Sequence, residues 1–122
     1  MARAVVARFE ITGANSEELR RFYGELFDWE IEEGAKGSGF GVVHASSCGI
    51  SGVIGPSRGE PGHTTIYVEV DDLNEYLAKS ERLGGKTVVP PTDVPGFNLA
   101  FAFFADPDGN VVGLSKGITN ES

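Results

Sequence analysis

The sequence is short of the residues that most often announce a chemistry. Cys48 is its only cysteine, and His44 and His63 are its only histidines. One cysteine excludes an intrachain disulfide, so a reducing cytoplasm is the expected setting. Cys48 has no basic neighbour in sequence and Ser46-Ser47 read as turn residues, so no nucleophile–base pair stands out. Cationic residues are scarce as well: 10 Lys and Arg stand against 18 Asp and Glu, a net charge of −8. That balance argues against nucleic acid and anionic membranes as partners. A cationic small molecule would be welcome, although an acidic surface is also simply a soluble one. Long apolar runs are missing too. No stretch could span a bilayer, and the apolar residues after Met1 are too few for a signal peptide.

What is present is ordinary globular material: 122 residues, 40% hydrophobic and 23% charged, enough for one domain. Residues 5–11 (VVARFEI) are rich in β-branched and aromatic side chains, which suits a strand. Asn15 and Glu18 form a capping-box pattern. Leu19, Phe22, Tyr23 and Leu26 follow at helical spacing as one apolar stripe. Strands are expected at 29–32, 40–45 and 49–54, the first two separated by a Gly-rich turn at 34–39.

The Gly/Pro segment 55–62 is the clearest internal boundary, and after it the pattern restarts. A strand at 64–70 precedes a second capping box at Asp72 and Glu75. The stripe of Leu73, Tyr76, Leu77 and Leu83 is then stopped by Gly84-Gly85. A strand at 87–89, broken by Pro90-Pro91, and another at 97–104 lead to the turn Asp106-Pro107-Asp108-Gly109. The last strand is expected at 111–115. Both halves read β-α-β-β-β, with an offset of 57 residues from Asn15 to Asp72. This is an internal duplication within one domain spanning 1–122: module 1 over about 4–55, a linker at 56–62, module 2 over about 63–117, and a short C-terminal tail.

These elements carry FEI (Phe9 to Ile11), FYGELFDW (Phe22 to Trp29), YVEVDDL (Tyr67 to Leu73), LGGK (Leu83 to Lys86) and FADPDGNVVGL (Phe104 to Leu114). In that order and spacing they resemble the vicinal-oxygen-chelate superfamily of glyoxalases, bleomycin-resistance proteins and ring-cleaving dioxygenases. Asp28 stands where that family usually carries Gly, which predicts slight strain at the helix end. The resemblance implies an α+β fold, the glyoxalase/bleomycin-resistance fold, with tandem βαβββ modules forming a curled mixed sheet around a ligand cavity. It also implies a homodimer, often with modules paired across the subunit boundary.

The resemblance further implies one divalent ion held by His, Glu or Gln on four strands, where a bidentate oxygen substrate is polarised. On this chain the four positions fall on Arg8, Gly52, Thr65 and Gly113. None is a competent ligand, and Arg8 would repel a cation. No cofactor is therefore expected. The alternative is a divalent metal at a displaced site using His63, Glu10 or Glu69, which strand alternation puts on the faces of Arg8 and Thr65. The plainer readings are a loop residue for His63, a strand residue on a solvated face for His44, and an exposed edge charge for Glu69.

Arg8, Glu10, Thr65, Tyr67, Glu69 and Phe101 are the candidate ligand-binding residues. Arg8 is suited either to clamp a carboxylate or phosphate or to pair with Glu10 or Glu69. Phe97, Leu99, Phe101 and Phe103 alternate along one strand, and either line an apolar pocket or pack under the helices. Trp29 is expected to pack at the helix end. The functional expectation is a metal-free binder of a small cationic or aromatic molecule, in the manner of the bleomycin-resistance proteins. Its alternative is a metal-dependent glyoxalase-, epimerase- or dioxygenase-like enzyme, and a third reading is a partner-binding module that keeps only the fold.

Overall fold

A computed structural model of the protein describes residues 4–57, 59, 61–94 and 98–117; Phe97, and Arg58 and Glu60 of the linker, lie outside them. The chain divides into two compact units, Ala7–Ile66, and Met1–Val6 with Tyr67–Ser122. The first module runs β1 (Val5–Gly13), α1 (Ser16–Phe27), β2 (Ile31–Glu33), β3 (Gly41–Val43), α2 (Ala45–Cys48) and β4 (Gly52–Pro56). The second runs β5 (Thr64–Glu69), α3 (Leu73–Arg82), β6 (Lys86–Val94), β7 (Leu99–Ala105) and β8 (Val111–Gly117).

Each module folds along the same path. In the first, β4 lies parallel to β1 and antiparallel to β3, which pairs with β2. In the second, β8 lies parallel to β5 and antiparallel to β7, which pairs with β6. The α+β class and the duplicated βαβββ order are therefore as read from sequence, with α2 as one extra helical turn.

Both main helices start where the capping boxes predict. The side chains of Asn15 and Asp72 accept the backbone N–H of Glu18 and Glu75, each at 3.0 Å, which satisfies a first-turn donor. Asp28 ends α1 at φ 58°, in the left-handed region usually given to Gly. Gly84, at φ 102°, does the same job after α3. Beneath α1, Ile11, Val43 and Ile54 form a core with Leu19, Tyr23 and Trp29 against it. Beneath α3 the core is Val70, Leu73, Leu77, Ala102 and Leu114, with Ala100, Phe104 and Tyr76 added.

Three expectations change. The helical stripes are narrower than their spacing suggested: Phe22 and Leu26 are more than half exposed and Leu83 is 71% exposed, because each short helix rests only one edge of its stripe on the sheet. Pro90-Pro91 does not end its strand, and β6 continues through both prolines to Val94. Among the described residues of its unit β6 pairs only with β7, and its register shifts between Val89 and Thr92; a missing N–H is tolerated at such edges and bulges. Finally, β3 stops at Val43, and residues 45–48 form α2 rather than a strand end and turn.

Candidate functional site

In the second unit, β5, β8 and β7 align two rows of side chains. Tyr67 pairs with Gly113, which pairs with Phe103; Glu69 pairs with Ser115, which pairs with Phe101. Their neighbours Val70, Leu114, Ala102 and Phe104 belong to the core under α3. Because successive strand residues point to opposite faces, both rows lie on the face turned away from α3. Phe101 and Phe103 thus do not pack under the helix; the even-numbered residues of β7 do that.

This face is built by fit. A Cβ at Gly113 would meet the Tyr67 ring at 2.6 Å, so only glycine lets the ring lie flat across β8. Tyr67 meets Phe103 at 5.5 Å and 60°, and Phe103 meets Phe101 at 5.8 Å and 71°, the edge-to-face geometry aromatic rings favour. Beside them, Glu69 is no loose edge charge. The fully buried Ser115 donates its hydroxyl to Glu69 Oε1 at 2.9 Å, and the Gly117 N–H donates to Oε2 at 2.8 Å. Ser115 escaped the sequence reading, although its spacing of two from Gly113 was the available signal. Thr65, in the other unit, is buried.

In the first unit, Phe9 and Ile11 pack on the α1 side, so Arg8, Glu10 and Thr12 alternate to the other side of β1. Glu10 meets a partner here. His63 Nε2 lies 3.0 Å from Glu10 Oε1, with the Glu10 side chain only 12% exposed. The contact is a hydrogen bond in the tautomer that carries the proton on Nε2, with the carboxylate oxygen accepting. Thr12 pins the same segment: its N–H donates to the His63 carbonyl at 2.9 Å, and its Oγ1 accepts the His63 N–H at 3.2 Å. Sequence reasoning overlooked Thr12 and set His63 in line with Thr65. His63 instead precedes β5, and its ring turns toward β1.

Other candidates are settled locally. His44 lies just past β3 rather than in a strand, at the N-cap position of α2 without a side-chain capping bond, and is exposed 2.7 Å from Glu32 Oε1. Cys48 donates to the Ile50 carbonyl at 2.9 Å. Trp29 stacks on Tyr23 and packs against Phe9.

The family model of the Glyoxalase/Bleomycin resistance protein/Dioxygenase superfamily matches residues 5–114. The chain belongs to that superfamily. It is 28% identical over 112 residues to the candidate glyoxylase CFP32 of Mycobacterium tuberculosis, covering 86% of this chain and 42% of the relative, so it spans less than half of that protein. Among solved structures it resembles hypothetical protein BH1468 of Bacillus halodurans (TM-score 0.68, 14% identity, 99% of each chain). It likewise resembles Streptomyces coelicolor methylmalonyl-CoA epimerase, solved with 2-nitronate-propionyl-CoA (TM-score 0.63, 15% identity, 99% of each chain). At these identities the structures establish the fold.

The divalent ion implied by this superfamily does not fit the residues present. Arg8 is a cation without a free lone pair, and Gly113 carries an aromatic ring over its Cα instead of a donor. The Thr65 hydroxyl points to its neighbour's carbonyl at 3.5 Å. Gly52 pairs with Phe9 and sits under its ring, on the α1 side. It therefore faces away from Arg8. Among the described residues no group of three or more His, Cys, Asp or Glu side chains gathers that could hold a metal. Of the displaced candidates, His63 and Glu10 come together; Glu69 lies in the other unit and bonds Ser115 and Gly117.

Proposed function

We propose that the chain is a metal-free binder of a small aromatic or cationic molecule, held on the face of the second unit away from α3. The observation that supports this reading is the Tyr67–Gly113–Phe103 row, in which an aromatic ring covers Gly113, the position that the resemblance would give to a last-strand metal ligand. Phe101 and the Glu69 carboxylate extend that row, offering π-faces beside a negative charge. The net charge of −8 adds attraction for a cation at low salt. The working form under this proposal is a cytoplasmic homodimer, for which the exposed Phe22, Leu26 and Phe27 of α1 provide an apolar face.

The test pairs elemental analysis with thermal shift. Protein incubated with Ni, Zn, Mn and anaerobic Fe(II), then desalted, is expected to retain no metal. An aromatic or cationic compound from a panel that includes acyl-CoA thioesters should raise the melting temperature. At a hundred times its dissociation constant a ligand adds about 2.7 kcal/mol, and Phe101→Ala should shrink that gain. One ion retained per chain, or a silent panel, sinks the proposal.

A second reading rests on the His63–Glu10 contact: a glyoxalase- or epimerase-like enzyme with a metal at that displaced pair. It requires stoichiometric metal that His63→Ala abolishes.

A further inference from the structure

Glu69 is the one charged side chain in the two rows of the aromatic face. It and Phe101 flank Ser115 in one cross-strand row, two strand spacings or about 10 Å apart between backbones. Small residues occupy the middle, Ser115 in this row and Gly113 in the next. One small molecule is therefore long enough to touch both side chains. Ser115 is fully buried, so its hydroxyl has no water to bond and needs a protein acceptor. It donates to Glu69 Oε1 at 2.9 Å, and the Gly117 N–H donates to Oε2 at 2.8 Å. Each carboxylate oxygen is thus fixed by one donor and keeps a lone pair for another.

Neither bond needs a charge on residue 69. A neutral amide of the same shape accepts the Gly117 N–H and donates to the Ser115 hydroxyl, which serves as donor or acceptor. The charge itself is left over: among the described residues no Lys, Arg or His side chain forms an ion pair with Glu69. Its neighbours do not cancel it. Asp71 and Lys116 border the same cavity of about 330 Å³ as Glu69, which sets two carboxylates against one ammonium. The partial positive charge at the start of α3 is met by its own cap, Asp72. One added cation balances this set. A cation that carries N–H groups also uses the lone pairs that Ser115 and Gly117 leave open, in a charge-assisted hydrogen bond.

Resting on the reading of this face as a small-molecule site, we propose that its ligand is an arylalkylammonium ion, its ring against Phe101 and its N–H groups on Glu69. Ser115 is then a positioning residue that aims the carboxylate. A quaternary ammonium offers the rings the same charge but has no donor for Glu69, so the fixed carboxylate selects against it.

Phenethylamine, its trimethylammonium derivative and phenethyl alcohol, titrated calorimetrically into the full-length protein at neutral pH, provide the test. The amine should bind about ten-fold more tightly than either of the others, the scale of one charge-assisted hydrogen bond. Glu69→Gln should close both gaps, and Phe101→Ala should weaken all three compounds. Ser115→Ala, with the charge still in place, should narrow the gap between the amine and its trimethylammonium derivative. A gap that persists in Glu69→Gln is one of ligand size and overturns the proposal, as does a gap that Ser115→Ala leaves unchanged. Equal binding of phenethyl alcohol that Phe101→Ala still weakens overturns it too, while leaving the aromatic face standing as the site. Binding of none of the three that depends on Phe101 removes that face, and the proposal with it.

Discussion

Gly52 and Gly113 each lie beneath an aromatic ring from the neighbouring parallel strand, Phe9 over Gly52 on the helix side of its unit and Tyr67 over Gly113 on the side away from the helix. A methyl group at Gly52 would collide with the Phe9 ring, which is itself held against Trp29. Gly52→Ala is therefore expected to destabilise the fold by about 1–3 kcal/mol, the usual cost of overpacking, as read by urea denaturation. An unchanged midpoint would mean that Phe9 swings aside freely. Asp106 supports a pH prediction. Its folded pKa is lowered by hydrogen bonds from Asn110 and the turn N–H groups, so its contribution is complete above the ordinary aspartate value of 3.8. It is lost as pH falls through the lowered folded value. The melting-temperature gap between wild type and Asp106→Ala should be full at pH 6 and narrow below pH 4. A gap that stays constant into acid would refute this role.

At the scale of elements, what was legible was local. The helix starts could be read because a cap is chosen within four residues, and Asn15 and Asp72 make the bonds that the pattern predicts. Asn15→Ala and Asp72→Ala should each cost about 1 kcal/mol, with Asn15→Ser nearly neutral. Losses confined to one helix would show that the two caps are not equivalent. The end of β6 was misread for the opposite reason. Whether proline interrupts a strand depends on which side of it is paired, and that is a property of the sheet. Likewise the spacing of Phe97, Leu99, Phe101 and Phe103 showed that these residues share a face. Only the pairing of Phe103 with Gly113 shows that Phe101 and Phe103 face away from α3.

For the whole molecule, Phe22, Leu26 and Phe27 leave more than half of their surface exposed on α1. Grouped apolar exposure of this kind marks an interaction face. The double substitution Phe22→Ser and Leu26→Ser should turn the proposed dimer into a monomer in light scattering, with little change in melting temperature, since neither side chain is buried. A wild-type chain that is already monomeric at high concentration would remove the dimer from the proposal. The family and the duplicated architecture needed no coordinates. Five motifs in order point to the family, the offset of the two capping boxes points to the duplication, and the match over residues 5–114 agrees with the family.

The candidate site divides along the same line. That Arg8, Gly52, Thr65 and Gly113 carry no metal-binding side chains is a matter of residue identity, and sequence alone determined it. Tertiary structure decided that Gly52 faces the other way, that His63 turns to Glu10, and that Glu69 is held by Ser115 and Gly117. The physical reason is register. Side chains alternate every residue, so a one-residue slip between distant strands reverses a face. That slip is set by packing across the sheet, where no local pattern reports it.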